Sequence, residues 1–245
     1  MLNGIGAVYL REIRILRRRF LRHLSAMTVA PLLYIVAFGA AMGGAVRLDG
    51  HTYLEFLLPG LVAMTCMTQA YGAAMEINTA RFYLHIFEEF QAAPLANAAY
   101  VLGEVLYGVT RAALGVAVIL ALGAAFGVVL HIGPGFVLAA LLNAFVFASL
   151  AVLLAMLVRG HADQSMVNNF VITPMAFLGG TFFPVERLPE WAQYPLYLLP
   201  LTHAAHAIRA DALGGAADLA DFVVLAGVGA AVFVAALRSV GAARD

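Results

Sequence analysis

The chain has 245 residues, of which 63% are hydrophobic and only 11% are charged. This composition and a mean hydropathy of +0.92 are far from those of soluble domains and predict an integral membrane protein. The formal net charge is zero, which gives no general attraction to nucleic acid or acidic partners. All 14 basic residues are arginines, so a phosphate-binding loop of the GxxxxGKS/T type is excluded, and any ATP hydrolysis must come from another polypeptide.

Residues 2–22 predict an amphipathic helix before the first membrane span. Apolar residues recur along it at spacings of three and four: Leu2, Ile5, Tyr9, Ile13, Leu16 and Phe20. Arginines repeat on another face: Arg11, Arg14, Arg18 and Arg22. Basic amphipathic helices lie in the headgroup plane, so this segment is expected to lie in the plane of the membrane interface, as an interface helix in that sense only. The alternative is a positive flank that only orients the first span.

Six apolar stretches predict six membrane-spanning helices in an all-α fold with a single transmembrane domain over residues 1–245. They lie at about 24–46, 53–77, 102–130, 136–158, 166–183 and 219–238. The last apolar run, 222–237, would measure only about 24 Å as a helix, so we expect it to borrow preceding residues or to thin the bilayer locally. Pro-rich residues 184–210 have apolar stretches too short to cross, which suits a pair of short re-entrant or surface helices.

Counting arginines predicts the orientation of the spans. If both termini are cytosolic, the outer side carries only Arg47, Arg187 and Arg209. The inner side then carries Arg11, Arg14, Arg17, Arg18, Arg19, Arg22, Arg81, Arg159, Arg238 and Arg244. The polar break at 78–101 is therefore expected in the cytosol, and the break at 184–210 outside.

The break at 78–101 is the longest polar interruption of the chain, and it predicts a short amphipathic helix. Its aromatic, acidic and turn residues suit docking in a groove of a soluble partner. We expect the contact to involve Arg81, Phe82, Phe87, Glu88, Glu89, Phe90 and Pro94. The alternative is an ordinary loop helix at the membrane interface.

Ionisable residues inside predicted spans are candidates for function because isolated charge in lipid is costly. Glu104 and Arg111 lie seven residues apart on one helical face, and they are expected to neutralise each other or to pair with Glu76. The alternative is that they line a polar cavity. Asn168 and Asn169 would either hydrogen-bond between helices or face a translocation path.

His203, His206 and Asp211 form the one constellation that could support an intramembrane enzyme. A metal site would need a third ligand and an organised outer shell that the sequence does not identify, so no metal is expected. The sequence contains no HExxH or GxSxG motif. Catalysis by this chain is therefore not expected.

Several short motifs carry a resemblance over essentially the whole chain. They are Phe56-Leu-Leu-Pro-Gly60, the segment with Glu88-Glu89, Ala93-Pro94-Leu95 and Gly103-Glu104, then Gly179-Gly-Thr-Phe-Phe-Pro184, Leu188-Pro189-Glu-Trp191 and Leu199-Pro-Leu-Thr202. In this order on six spans, the chain resembles the permease subunit of bacterial type-2 ATP-binding-cassette exporters, in the branch with lipo-oligosaccharide and drug exporter permeases.

The resemblance implies that residues 81–93 are the coupling helix of an inner-membrane exporter permease. It further implies that two copies form the pore and that each binds a separate cytosolic ATPase, which holds the ATP and magnesium. This chain would bind no cofactor of its own and would move an amphipathic, lipid-linked or drug-like substrate outward. Alternatives are a permease of the same architecture for haem or cofactor assembly, and a membrane scaffold that transports nothing.

Overall fold

The computed structural model describes residues 1–42, 47–48, 50–93 and 95–243. A two-stranded antiparallel hairpin, β1 (Arg47–Leu48) and β2 (His51–Thr52), accompanies the helices. The α-helices are α1 (Leu2–Arg18), α2 (Phe20–Met42), α3 (Tyr53–Tyr71), α4 (Ala73–Phe82), α5 (Ile86–Ala92), α6 (Asn97–Ala125), α7 (Pro134–Leu157), α8 (His161–Val167), α9 (Thr173–Leu178), α10 (Glu190–Tyr197), α11 (Pro200–Ala212) and α12 (Leu219–Ala242). A π-helical turn, Asn168–Ile172, joins α8 to α9.

The all-α membrane class is confirmed by the length and composition of the helices. In the described part of the chain, four helical segments are long and apolar enough to cross a membrane: Phe20–Gly39, Asn97–Ala125, Pro134–Leu157 and Leu219–Ala242. The two other predicted spans are built from shorter pieces. One is divided at Gly72 into α3 and α4, and the other is α8, the π-helical turn and α9.

Helix α3 forms the centre of the bundle and is buried on every face over most of its length. A helix that is apolar all round belongs in an interior, where it packs against α6, α7 and α11. Its start is fixed by a capping box, in which Thr52 Oγ1 accepts from the backbone nitrogen of Glu55 at 3.3 Å. The Glu55 carboxylate accepts in return from the backbone nitrogen of Thr52 at 2.7 Å.

Helix α1 packs lengthwise against the first half of α6. Gly103 of α6 lies against the side chain of Val8, and the hydroxyls of Tyr9 and Thr110 are 3.0 Å apart. The buried positions of α1 are Val8, Glu12 and Leu16, which recur every four residues. The predicted apolar stripe began at Leu2 and did not include Val8 or Glu12. In the structure Leu2 is 83% exposed, so the buried face of α1 differs from that stripe.

Of the two expectations for the last span, the borrowing of preceding residues is the one present, since α12 begins at Leu219 and its 24 residues measure about 36 Å. Asp218 caps its first turn by accepting from the backbone nitrogen of Ala220 at 3.0 Å. Asp221 lies in the first turn of α12, where it is buried and paired with His203 and His206. The helix therefore needs no local thinning of the bilayer.

Replacing Gly103 by alanine is expected to weaken the contact of α1 with α6. A Cβ atom there would lie 2.6 Å from Val8 Cβ and 3.3 Å from the Ile5 carbonyl oxygen. Overpacking of this kind costs about 1–3 kcal/mol. We expect the thermal unfolding temperature to fall by several degrees, whereas Gly227→Ala on α12, with no atom within 4 Å, should not lower it. An equal effect of both substitutions would contradict this packing.

Candidate functional site

The polar break between α3 and α6 forms a helical hairpin with an exposed tip. Tyr83 and Leu84 connect α4 to α5 and are 54% and 60% exposed. His85 follows with a φ of 55°, a left-handed conformation, and its Nδ1 lies 3.0 Å from Glu88 Oε1. Glu89 is also exposed. We call these five residues the tip surface.

The inner side of α5 is aromatic and faces the protein's own helices. Phe87 is 5% exposed and meets the ring of Tyr100 edge to face at 5.3 Å, and Phe90 lies 5.5 Å from the same ring. The Arg11 guanidinium lies 5.6 Å from the centre of the Phe90 ring. Phe87 is thus buried within this chain and Phe90 is partly buried against the same ring, while contact of these phenylalanines with a partner stays a prediction. Pro94, predicted with them, lies outside the described residues.

Two side chains of α4 cap the end of α7. Arg81 Nη1 donates to the Met156 carbonyl oxygen at 2.6 Å, and Asn78 Nδ2 donates to the Val158 carbonyl oxygen at 2.8 Å. The last carbonyls of a helix have no partner within it and carry partial negative charge, so a cation and an amide donor satisfy them. The end of α7 is thereby attached to α4.

Arg81 also joins this cap to the hairpin. Its guanidinium lies 4.7 Å from the ring centre of Phe82 and 5.2 Å from that of Phe87, as in cation–π contacts. The sequence placed Arg81 and Phe82 at the surface for a partner. In the structure, the guanidinium of Arg81 instead contacts α4, α5 and the end of α7, and so links these three helices.

The ionisable residues of the predicted spans form a network. Arg111 Nη1 pairs with Glu76 Oε1 at 2.9 Å, and the Tyr107 hydroxyl donates to Glu76 Oε2 at 2.6 Å. Glu104 is buried, and its Oε2 atom has no hydrogen-bond partner among the described residues. Of the two pairings predicted for Arg111, the one with Glu76 is therefore present.

Glu12 is a buried member of this network that sequence reasoning missed. It contacts the side chain of Arg11, and burial raises its pKa although that arginine acts in the opposite direction. Together with Glu76 and Glu104, it lines a cavity of about 320 Å³ between α1, α4 and α6. The sequence did not indicate that Glu12 is buried, because it stands among the arginines of a helix whose polar face is expected to be exposed.

The other arginines predicted on the interface helix differ from Arg11. Arg14, Arg18 and Arg22 are exposed, and none of them forms an ion pair with a described residue. Their exposed position agrees with a polar face that is not covered by the rest of the bundle.

A second cavity lies between α2, α3 and the segment 168–177. It measures about 300 Å³, and its walls include Tyr34, Thr65, Gln69, Asn168 and Phe177. Asn168 lies at the start of the π-helical turn. Both asparagines are exposed, but Asn169 does not line this cavity. The two neighbouring asparagines therefore have different surroundings.

Three of the sequence motifs meet around Arg209. Its guanidinium lies 3.9 Å from the ring centre of Phe56, and its Nη2 donates to the Gly180 carbonyl oxygen at 2.7 Å. A Cβ atom at Gly60 would collide with the backbone of Thr181, so these backbones touch. Sequence reasoning counted Arg209 only as an outer arginine, because nothing in its neighbourhood marks it as buried.

The third motif completes this junction through Leu201 and Thr202. Gly179 lies against the Leu201 side chain, and Thr202 Oγ1 donates to the Leu196 carbonyl oxygen at 2.7 Å. The Tyr53 hydroxyl donates to the Phe182 carbonyl oxygen at 2.9 Å. The start of α3, the end of α9 and the start of α11 thus form one packed unit.

His203 and His206 are joined to α12 through Asp221. His203 Nδ1 lies 2.7 Å from Asp221 Oδ1, and His206 Nδ1 lies 2.6 Å from Oδ2. The second nitrogen of His203, Nε2, is 2.8 Å from the Tyr197 carbonyl oxygen. Acceptors at both nitrogens favour the doubly protonated, imidazolium form of His203.

The constellation of both histidines with Asp211, on which the rival enzymatic interpretation depends, is not assembled in the structure. Asp211 Oδ1 instead accepts from the backbone nitrogen of Gly133 at 2.8 Å, at the start of α7. Asp211 is at the far end of α11, where the anion satisfies a free N–H group of the neighbouring helix. Over the described ranges, no group of three His, Cys, Asp or Glu residues is arranged to hold a metal ion.

Raising the pH is expected to loosen the contact between α11 and α12. Hydrogen bonds to Asp221 raise the pKa of His203 and His206 above the ordinary value of 6.5, and the nearby charges are Glu186 and Arg209. A raised pKa means that the contribution to stability is complete below the unfolded-state value and is lost as the pH rises through the folded-state value.

The measurement is the thermal unfolding temperature between about pH 6 and about pH 9. It should fall with pH in the unmodified protein and fall less in the His203→Gln, His206→Gln double variant. His131→Gln, at an exposed loop position, is the matched control and should keep the full pH dependence. An unchanged dependence in the double variant would contradict the role of these histidines.

Comparison with known proteins identifies the family. Residues 4–212 match the family described as ABC-2 type transporter. The chain is 33% identical over 187 residues to nodulation protein J of Rhizobium meliloti strain 1021, covering 75% of this chain and 71% of that protein. It is 28% identical over 215 residues to the inner membrane transport permease YadH of Escherichia coli K12, covering 86% of this chain and 83% of that protein.

The matched region includes the hairpin of α4 and α5, the polar network and the motif junction at Arg209. In this family the membrane subunit works with a cytosolic ATPase on a separate chain, and the helices described above are those of a multi-pass membrane protein. The chain belongs to the ABC-2 type transporter family and is a transmembrane permease subunit of an ABC transporter.

Proposed function

We propose that this chain is the membrane subunit of an ATP-driven exporter in the bacterial inner membrane. Two copies form the translocation path, and each binds one cytosolic ATPase through the tip surface. The observation that carries the proposal is the hairpin of α4 and α5, which exposes Tyr83 and Leu84 while its inner side is buried on α6. Two exposed apolar side chains beside two glutamates suit an anchor in a partner's groove with a polar rim.

The contacts behind the tip surface suit transmission of force. Phe87 and Phe90 connect α5 to Tyr100 of α6, and Arg81 connects α4 and α5 to the end of α7. Helices joined by closely packed side chains move together as rigid units, because the packing between them does not deform continuously. Closure of the ATPase pair would therefore displace α6 and α7, which are two of the candidate spans.

The proposed arrangement has six spans with both termini in the cytosol. Helices α3 and α4 together form one span that continues through Gly72, and the segment from α8 to α9 forms another. The α10–α11 segment then lies on the outer side as the re-entrant pair. The bias of arginines toward the termini and the hairpin supports this orientation.

The proposed path runs through the cavity lined by Asn168. Apolar and aromatic walls with a few amides and hydroxyls suit an amphipathic, lipid-linked or drug-like substrate. Asn169, exposed in an otherwise apolar segment, needs a partner in lipid, and a second copy or the path itself would supply one. A permease for haem or cofactor assembly would have the same architecture and move another cargo. A membrane scaffold would move no cargo through this cavity.

The experiment that tests the proposal is purification of the tagged chain from its native membranes in a mild detergent. We expect an ATP-binding-cassette ATPase in equimolar amount and ATP hydrolysis by the complex. A chain that purifies alone and supports no ATP hydrolysis would contradict the proposal and favour the scaffold. Analysis of the cargo in native membranes would separate export from cofactor assembly.

Substitutions on the tip surface are expected to release the ATPase. Tyr83→Ala with Leu84→Ala removes the two exposed apolar anchors, and Glu88→Arg with Glu89→Arg reverses the charge beside them. Anchor residues of an interface contribute about 2 kcal/mol or more each, so recovery of the ATPase should fall at least tenfold.

The matched control lies at the opposite end of the protein. Tyr194 and Leu198 are a second exposed pair of the same residue types, at 71% and 83% exposure. Their replacement by alanine should leave recovery of the ATPase unchanged. Normal recovery with both tip variants would remove the tip surface from the interface.

A further inference from the structure

The junction of α1 and α2 carries a cluster of arginines. Arg17, Arg18, Arg19 and Arg22 are all exposed, and the cluster makes no ion pair with any residue in the described ranges. Helix α1 ends at Arg18 and α2 begins at Phe20, so all four side chains surround one break in the helix. Like charges this close repel one another, and anions bound from outside the chain would relieve that repulsion.

An apolar furrow begins beside the cluster. It has a volume of about 240 Å³ and runs between α2, with Phe20, Leu24 and Met27, and α6, with Leu114, Ala117 and Ala121. From Phe20 to Met27 the wall of α2 extends about 10 Å. The furrow is nearly free of polar surface, so it suits a hydrocarbon chain.

The position of the furrow places it at the edge of the membrane. Beyond Arg22, α2 has no charged residue, and beyond Arg111, α6 has none either. The furrow lies between these two uncharged stretches of α2 and α6. The arginine cluster lies at the start of the uncharged stretch of α2. A ligand that fits both features has an anionic head and an apolar tail.

We propose that this junction is a binding site for one anionic phospholipid, with its phosphate on the arginine cluster and an acyl chain in the furrow. Guanidinium groups bind phosphate oxygens in pairs, which favours a phosphate over a carboxylate at a site with several arginines. The site rests on the proposed function only in being assigned to the cytoplasmic leaflet. It is a defined position for one lipid, which differs from a general attraction of a basic helix to the surface.

The experiment compares lipid retention by the full-length protein in detergent, using native mass spectrometry with added phosphatidylglycerol or phosphatidylcholine. We expect about one phosphatidylglycerol to remain per chain and phosphatidylcholine to be lost, because each arginine near an anionic lipid contributes about 1 kcal/mol. Arg18→Gln with Arg22→Gln should then weaken retention about 30-fold. Inorganic phosphate should not displace the lipid, because it lacks the chain.

The furrow is tested by filling it while leaving every arginine in place. Ala117→Phe and Ala121→Leu should each weaken retention about tenfold or more, since they displace several methylenes at about 0.8 kcal/mol each. Ala231→Phe, at an exposed position of α12 that does not line the furrow, is the matched control and should retain the lipid. Having two filling variants keeps the test valid if one of them is unstable.

The outcomes separate the site from its alternatives. Loss with the arginine variant but not with either filling variant would show a diffuse surface attraction and overturn the proposal, as would equal retention of both lipids. Displacement by inorganic phosphate alone would also overturn it. Recovery of the ATPase from the same preparations reports on the proposed function separately, because these variants lie away from the tip surface.

Discussion

The guanidinium of Arg81 holds together the end of the bundle that carries the tip surface. The last carbonyls of α7 have no partners within their helix, so donors from elsewhere in the chain must satisfy them where they are buried. Arg81 supplies a donor to the Met156 carbonyl and covers the rings of Phe82 and Phe87 with its flat faces. Together with Asn78, which donates to the Val158 carbonyl, this side chain joins α4, α5 and α7 into the unit that supports the tip surface.

Arg209 plays the corresponding part at the other end of the helical bundle. Arg209 bridges the start of α3 and the turn after α9 through Gly180 and Phe56, and this brings three separated sequence motifs into contact. Arginine suits both positions because its five donors and flat faces satisfy carbonyls and rings at once. The two ends are connected by α3, the most completely buried helix, so a displacement at one end has a continuous packed route to the other.

The membrane class and the family could be predicted from composition and motifs, and spacing left Glu76 as one of two partners for Arg111. The direction of α5 could not, since Phe87 and Phe90 beside Glu88 and Glu89 give the same amphipathic pattern whichever protein covers the apolar face. The partner of His203 and His206 was also hidden, because Asp211 is nearer in sequence while Asp221 comes from the next helix. Glu12 shows the same limit, since its burial depends on where α1 packs on α6. Patterns identify faces, but tertiary contacts decide what covers them.

The central claim is that Arg81 transmits movement from the tip surface to the outer end of the bundle. It is tested most directly by placing a spin label at position 191, through Trp191→Cys, and measuring the distance between the labels of the two copies in the assembled complex. Cys66, which is buried, is first replaced by alanine so that the label is unique. We expect this outer distance to change when ATP is bound and trapped, and we expect Arg81→Ala to abolish the change while the ATPase stays bound. Arg14→Ala, at an exposed arginine, should leave the change intact. A full change in the Arg81 variant would contradict transmission through this side chain.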